Sequence, residues 1–172
     1  MKCLNKILFL IVILISNYSF GQVSEKLNIN KKNILKVFKS TIDQDKRNRI
    51  SITSNPWSTE KEKYEISDTI RFINPSNRTD YNYCNVINWT FYRKNKFVRS
   101  YGEYCDEPAV EKVTNEDDFF DLKITEVYGK IYLELFNKQK LIEKFLIISL
   151  EKTQSLSYKN LIEYTLTLKR EK

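Results

Sequence analysis

Ile87-Asn88-Trp89-Thr90-Phe91 carries an apolar side chain at every second position, so Ile87, Trp89 and Phe91 share one face while Asn88 and Thr90 take the other. This is the period of a half-buried β-strand, and it returns along the chain. Ile131, Leu133 and Leu135 alternate with Tyr132 and Glu134, and Ile162, Tyr164, Leu166 and Leu168 alternate with Glu163, Thr165, Thr167 and Lys169. Eight such runs are counted, at 47–54, 64–73, 81–93, 96–105, 119–128, 130–137, 143–151 and 161–170. The connections at Lys94-Asn95, Gly129 and Asn137-Lys138-Gln139 have the lengths of antiparallel hairpins. No crossover helix separates the strands, which argues against a layered α/β fold. The expected fold is all-β, an eight-stranded up-and-down antiparallel barrel whose closure removes exposed edges.

One amphipathic helix precedes the strands. Ile34, Leu35, Phe38 and Ile42 lie on one helical face within 31–43, and Asn30 is placed to cap its start. The run Phe145-Leu146-Ile147-Ile148 is apolar on both faces, so its outer face needs a cover, and the helix is the expected one. Residues 22–30 are polar and expected to be a loose terminus, and 106–118, with Pro108, is the longest break between the central strands.

The chain has 172 residues, a formal charge of +7, three glycines and no histidine. A Ser-His-Asp or Cys-His catalytic pair and a His-based zinc site are thereby excluded, and so few glycines leave no phosphate-cradling loop. Lys, Asn and Ile supply 57 of the 172 residues while Ala occurs once, at Ala109. That skew fits A- and T-rich codons, and the basic balance is read as a solvated lysine-rich surface.

Residues 1–6 are basic, Ile7 to Ile15 is an unbroken apolar run, and Ser19 and Gly21 are the small residues a signal peptidase accepts. The organisation expected is a signal peptide over 1–21, a helical segment over 22–46 and a barrel domain over 47–172. The apolar run spans about half a bilayer core, so no transmembrane segment remains after cleavage. Cys3 precedes that run, so no lipid anchor is expected, and the protein should be exported, periplasmic or secreted. Cys84 and Cys105 are then the remaining thiols, an even pair in an oxidising compartment and an expected disulfide. A two-residue turn at Lys94-Asn95 opposes Phe91 to Val98, Trp89 to Ser100 and Cys84 to Cys105; a bulge at Gly102 would remove that register.

Several of these segments together resemble bacterial lipocalin-like domains: Asp68-Thr69-Ile70-Arg71-Phe72, the stretch from Cys84 to Trp89, Lys130-Ile131-Tyr132-Leu133-Glu134-Leu135 and Leu166-Thr167-Leu168-Lys169-Arg170. The likeness covers roughly 47–170 and is one of pattern. It implies a small calycin-type barrel, often one that accepts an apolar molecule in its mouth, and no catalysis. The family's Gly-x-Trp is represented by Asn55-Pro56-Trp57, which lacks the glycine and is read as a turn, and Arg170 matches the basic residue that packs on that tryptophan.

Trp89, Phe91, Tyr101 and Tyr132 are the candidate ligand-binding residues, with Tyr104 nearby and core packing as the alternative. Glu116, Asp117, Asp118 and Asp121 lack the spacing of a calcium loop and are read as a solvated acidic loop. Arg93, Lys94, Lys96 and Arg99 are read as charges keeping a hairpin tip soluble, not as a nucleic-acid site. The chain has no Gly-x-Ser-x-Gly nucleophile motif. The expected function is non-enzymatic binding of a small hydrophobic molecule, with no cofactor, metal or nucleic acid. The alternative is a protein-interaction or inhibitor module on a filled barrel.

Overall fold

Ten strands and two helices are built from residues 24–43, 55–74, 83–105, 107–112, 115–154 and 162–171, the residues that the computed structural model describes. The expected signal peptide at 1–21 and the strand run at 47–54 lie outside them. In chain order the elements are β1 (Ser24–Lys26), α1 (Lys31–Ser40), β2 (Trp57–Glu60), α2 (Lys61–Ile66), β3 (Thr69–Asn74), β4 (Asn85–Arg93), β5 (Lys96–Glu103), β6 (Val110–Lys112), β7 (Phe119–Val127), β8 (Lys130–Asn137), β9 (Lys140–Gln154) and β10 (Ile162–Arg170). Eight strands close into an antiparallel ring, β3-β2-β4-β5-β7-β8-β9-β10 and back to β3, as the alternation requires. From β4 onward spatial neighbours follow chain order. At the start β2 and β3 exchange places, because β2 pairs with both β3 and β4. β1 and β6 are short additions on β9 and β5.

Three parts of the sequence reading are corrected. Trp57, read as part of a turn, begins a barrel strand, and the run 64–73 divides into α2 and β3. Asn55 takes φ 54°, in the left-handed region that glycine favours and Asn tolerates, and this bend launches β2. Residues 22–30 are not all loose, since β1 pairs Ser24 with Thr153 and Lys26 with Glu151.

The helix also differs in position. Asn30 caps it as expected, its side chain accepting from the Asn33 N–H at 2.8 Å. Yet α1 does not cover the outer face of 145–148. It closes one end of the barrel, with Ile34, Val37 and Phe38 turned inward and Phe38 stacked on Phe91 at 4.3 Å between centroids. The Trp57 indole donates to Thr41 Oγ1 at 3.1 Å and anchors the end of the helix. The doubly apolar run has another cause. A register shift opposite Thr167/Leu168 leaves Ile148 as an extra residue in β9, so the inward phase passes from Phe145 and Ile147 to Leu150. A second shift opposite Leu135/Phe136 does the same at Ile142, and both extra isoleucines point outward and exposed.

The β4–β5 hairpin is one residue off the expected register. Arg93 faces Lys96, but the next pair is Phe91 with Phe97, leaving Tyr92 as a bulge, so Trp89 faces Arg99 and not Ser100. Cys84 and Cys105 are nevertheless disulfide-bonded, with Cα atoms 4.8 Å apart. Both lie in bends beyond the strand ends, where strict alternation of faces no longer applies. The bridge closes a separation of 21 residues, contributing about 3 kcal/mol in the chain-entropy model. Cys84→Ser/Cys105→Ser should lose about that much on denaturant unfolding, and the oxidised wild type should show no alkylatable thiol at these positions by mass spectrometry.

Gly102 is in register opposite Val86, not at a bulge. A Cβ there would stand 2.7 Å from the Tyr104 ring, which lies across it. Tyr104 helps cover a buried polar patch on the outer wall: Ser58 donates to Asn88 at 2.5 Å, Asn88 to the Tyr104 hydroxyl at 3.3 Å, and Ser100 to Glu111 at 2.7 Å. Gly102→Ala should therefore cost about 1–3 kcal/mol as overpacking. Combining it with Tyr104→Ala should cost less than the sum of the two single changes, as a double-mutant cycle of unfolding free energies checks.

Candidate functional site

The inner faces of the strands converge on aromatic side chains. Trp89 and Phe91, two residues apart on β4, are both 1% exposed. Trp89 has Phe72 at 4.2 Å, Phe97 at 4.8 Å and Phe145 at 6.1 Å between centroids, and Phe120 stacks on Phe97 at 5.3 Å. Side chains thus occupy the space between the strands. α1 closes the end near Phe91 and Trp57. At the opposite end α2 turns Tyr64 inward against Phe72 and Trp89.

Trp89 and Phe91 are therefore brought together, inside the barrel. Tyr101 shares the inward phase of β5 with Phe97 and Arg99 but is only half-buried, with the Lys61 ammonium 5.7 Å from its ring centroid. Tyr132 alternates with the inward Ile131 and Leu133, so it stands on the outer wall, 4.7 Å from the Lys144 ammonium, apart from the other three. Two surface pockets lie on the outside, one beside α1 between Leu27, Val37 and Tyr164, another beside Leu141 and Arg170.

The α2 end also holds a polar cluster that the strand pattern did not single out. Glu143 on β9 accepts from Arg99 Nη1 at 3.0 Å and from Arg170 Nη1 at 2.8 Å. The Tyr64 hydroxyl lies 2.8 and 2.9 Å from the two Glu143 oxygens. Arg170 Nη2 donates to the Tyr64 carbonyl at 2.6 Å, tying the last strand to α2. Arg99 lies over the Phe120 ring and Arg170 over Tyr64 and Phe145, so Arg170 packs on these rings and not on Trp57. Burial, reinforced by the adjacent Glu143 carboxylate, holds the Tyr64 phenol far above its ordinary range. The phenol therefore stays protonated and serves as a donor. Both carboxylate oxygens are engaged by donors, and the cluster is a tie between β5, β9, β10 and α2.

A signal for this cluster is present in the sequence. Arg99 has the parity of Phe97, Glu143 that of Phe145, and Arg170 that of Leu168, so each is a charge on an inward face. Opposite charges in such places are expected to meet. Arg99 is accordingly not part of the hairpin tip, although Arg93 and Lys94 are exposed there.

The acidic loop is structural. Asn115 and Asp118 form a reciprocal capping box, Lys138 pairs with Asp117 at 2.9 Å, and Lys96 pairs with Asp121. Among the described residues no group of three His, Cys, Asp or Glu side chains is arranged to hold a metal ion. No helix among them is long and apolar enough to cross a membrane.

Fold and interior together define a closed eight-stranded antiparallel barrel, filled by side chains and consistent with a calycin-like architecture. No protein-family model matches the chain, and neither does any curated protein or solved structure.

Proposed function

We propose that the chain is an exported, non-enzymatic, lipocalin-like domain that acts as a protein-interaction module, meeting its partner with its loops and outer wall. The observation that carries this reading is the filled interior. Where a ligand-binding barrel keeps a hollow, Trp57, Phe72, Trp89, Phe91, Phe97, Phe120 and Phe145 are each 2% exposed or less. The disulfide supports export, because such bonds persist in oxidising compartments. A non-enzymatic role is supported by the lack of histidine and by the Glu143 cluster, whose charged groups are engaged with one another.

The competing reading is a small apolar ligand in the barrel mouth, and one titration separates the two. Both tryptophans are buried, so a ligand entering the barrel would change their fluorescence saturably. Titration with ANS and with a panel of fatty acids should give no saturable change, while photo-crosslinkers at the exposed Leu141 and Ile142 of the wall should yield a discrete protein adduct in producing cells. Saturable quenching by an apolar compound without any adduct would return the small-ligand reading.

A further inference from the structure

Five lysines of the other elements are ion-paired: Lys63 with Glu60, Lys96 with Asp121, Lys112 with Glu103, Lys138 with Asp117 and Lys144 with Glu134. The lysines of α1 are concentrated on one short helix. Lys31, Lys32, Lys36 and Lys39 are all exposed, the helix contains no acidic residue, and among the described residues no carboxylate pairs with any of them. Lys32, Lys36 and Lys39 follow i, i+4, i+7 spacing and form one stripe. This stripe lies opposite Ile34, Val37 and Phe38, which are held in the barrel. The helix cannot roll, so the stripe is fixed facing outward.

Other features gather at the same end. Lys26, Arg93 and Lys94 are exposed there, against the acids Glu25, Asp43 and Glu126. The β7–β8 turn projects at this end too, with Tyr128 fully exposed and Val127 42% exposed. β1 lies on this side too, with Ser24 paired to Thr153 near the end of β9.

We propose that the α1 end docks on an anionic lipid bilayer, with the Lys32-Lys36-Lys39 stripe against the headgroups and Tyr128 at the interfacial level. Basic groups near an anionic surface each add to binding, and an exposed tyrosine beside them suits the interface between headgroup and acyl chain. A nucleic acid would satisfy the lysines but offers no apolar depth for Val127. The bilayer is therefore the favoured partner. This surface is distinct from the wall positions Leu141 and Ile142.

The test is sedimentation of the purified protein in its exported form, without residues 1–21, with vesicles of phosphatidylcholine alone and of phosphatidylcholine with phosphatidylglycerol. Wild type should bind the anionic vesicles and be released by about 0.5 M salt. Lys32→Gln/Lys36→Gln/Lys39→Gln should bind at least about tenfold more weakly. The control Lys138→Gln/Lys140→Gln/Lys169→Gln removes the same charge from the far end and should bind as wild type; melting curves establish that both variants are folded. The proposal is overturned if wild type ignores anionic vesicles, if both triple variants lose binding equally, or if the two vesicle types bind alike and the lysines do not matter. Stripe-dependent binding to a DNA duplex with vesicles ignored would overturn it in favour of nucleic acid.

Discussion

Phe38→Ala should lower the unfolding free energy by about 4 kcal/mol, the cost of deleting a fully buried aromatic side chain. In a domain of this size that corresponds to a fall of about 10 °C in melting temperature. Phe38 is 0% exposed, stacks on Phe91 and meets Trp57 edge-on at 5.5 Å, so its removal opens the barrel where the helix closes it. Lys39→Ala, one residue along on the exposed side, should leave the melting temperature nearly unchanged. An equal loss for both would mean that helix content, and not the inserted ring, holds this end.

Glu143→Ala should cost about 3 kcal/mol or more, because it leaves two guanidinium groups facing each other without their shared carboxylate. Glu143→Gln keeps the shape and one acceptor and should recover part of the loss; if it is as damaging as Ala, charge is the larger element. Tyr64 adds a pH signature. Its folded pKa is raised above its ordinary value of 10, so the folded state holds the phenolic proton more tightly than the unfolded chain does. The stability this supplies is complete below pH 10 and declines as pH rises above it. Tyr64→Phe should weaken the fold through the lost charge-assisted hydrogen bond, by about 1.5–3 kcal/mol, and flatten this alkaline limb. Denaturant midpoints measured from neutral pH to strongly alkaline pH check both effects.

Period-2 alternation was enough to reveal β4, β8 and β10, because each has one inward and one outward phase for most of its length. It misled where an extra residue shifts the phase. Ile148 is such a residue, and without the partner strand a bulge is indistinguishable from a strand buried on both faces. Tyr92 did the same to the hairpin register, since a turn's length does not reveal whether its strands remain in step. Trp57 was obscured by the preceding Asn-Pro, although the left-handed Asn55 is what starts its strand. The amphipathic helix was legible in its limits and its cap, but not in its docking partner, because an apolar stripe does not specify which apolar surface receives it. Three of the four members of the polar cluster carried the parity signal of inward charges; Tyr64, on a two-turn helix, carried none.

The exchange of β2 and β3 has a consequence for the order in which the chain can acquire its structure. β3 borders β10 along six residue pairs from Tyr164–Asn74 to Lys169–Thr69, and β1 borders β9 at residues 151–153. β1 therefore lacks its partner β9, and β3 has only its short pairing with β2, until almost the whole polypeptide has been made. A growing chain can zip the local hairpins from β4 to β9, but it cannot seat β3 or close the ring before Arg170 emerges. Long-range closure of this kind is slow. Until then β3 keeps the edge that β10 will cover open, and the last strand to be made is the one that completes the ring.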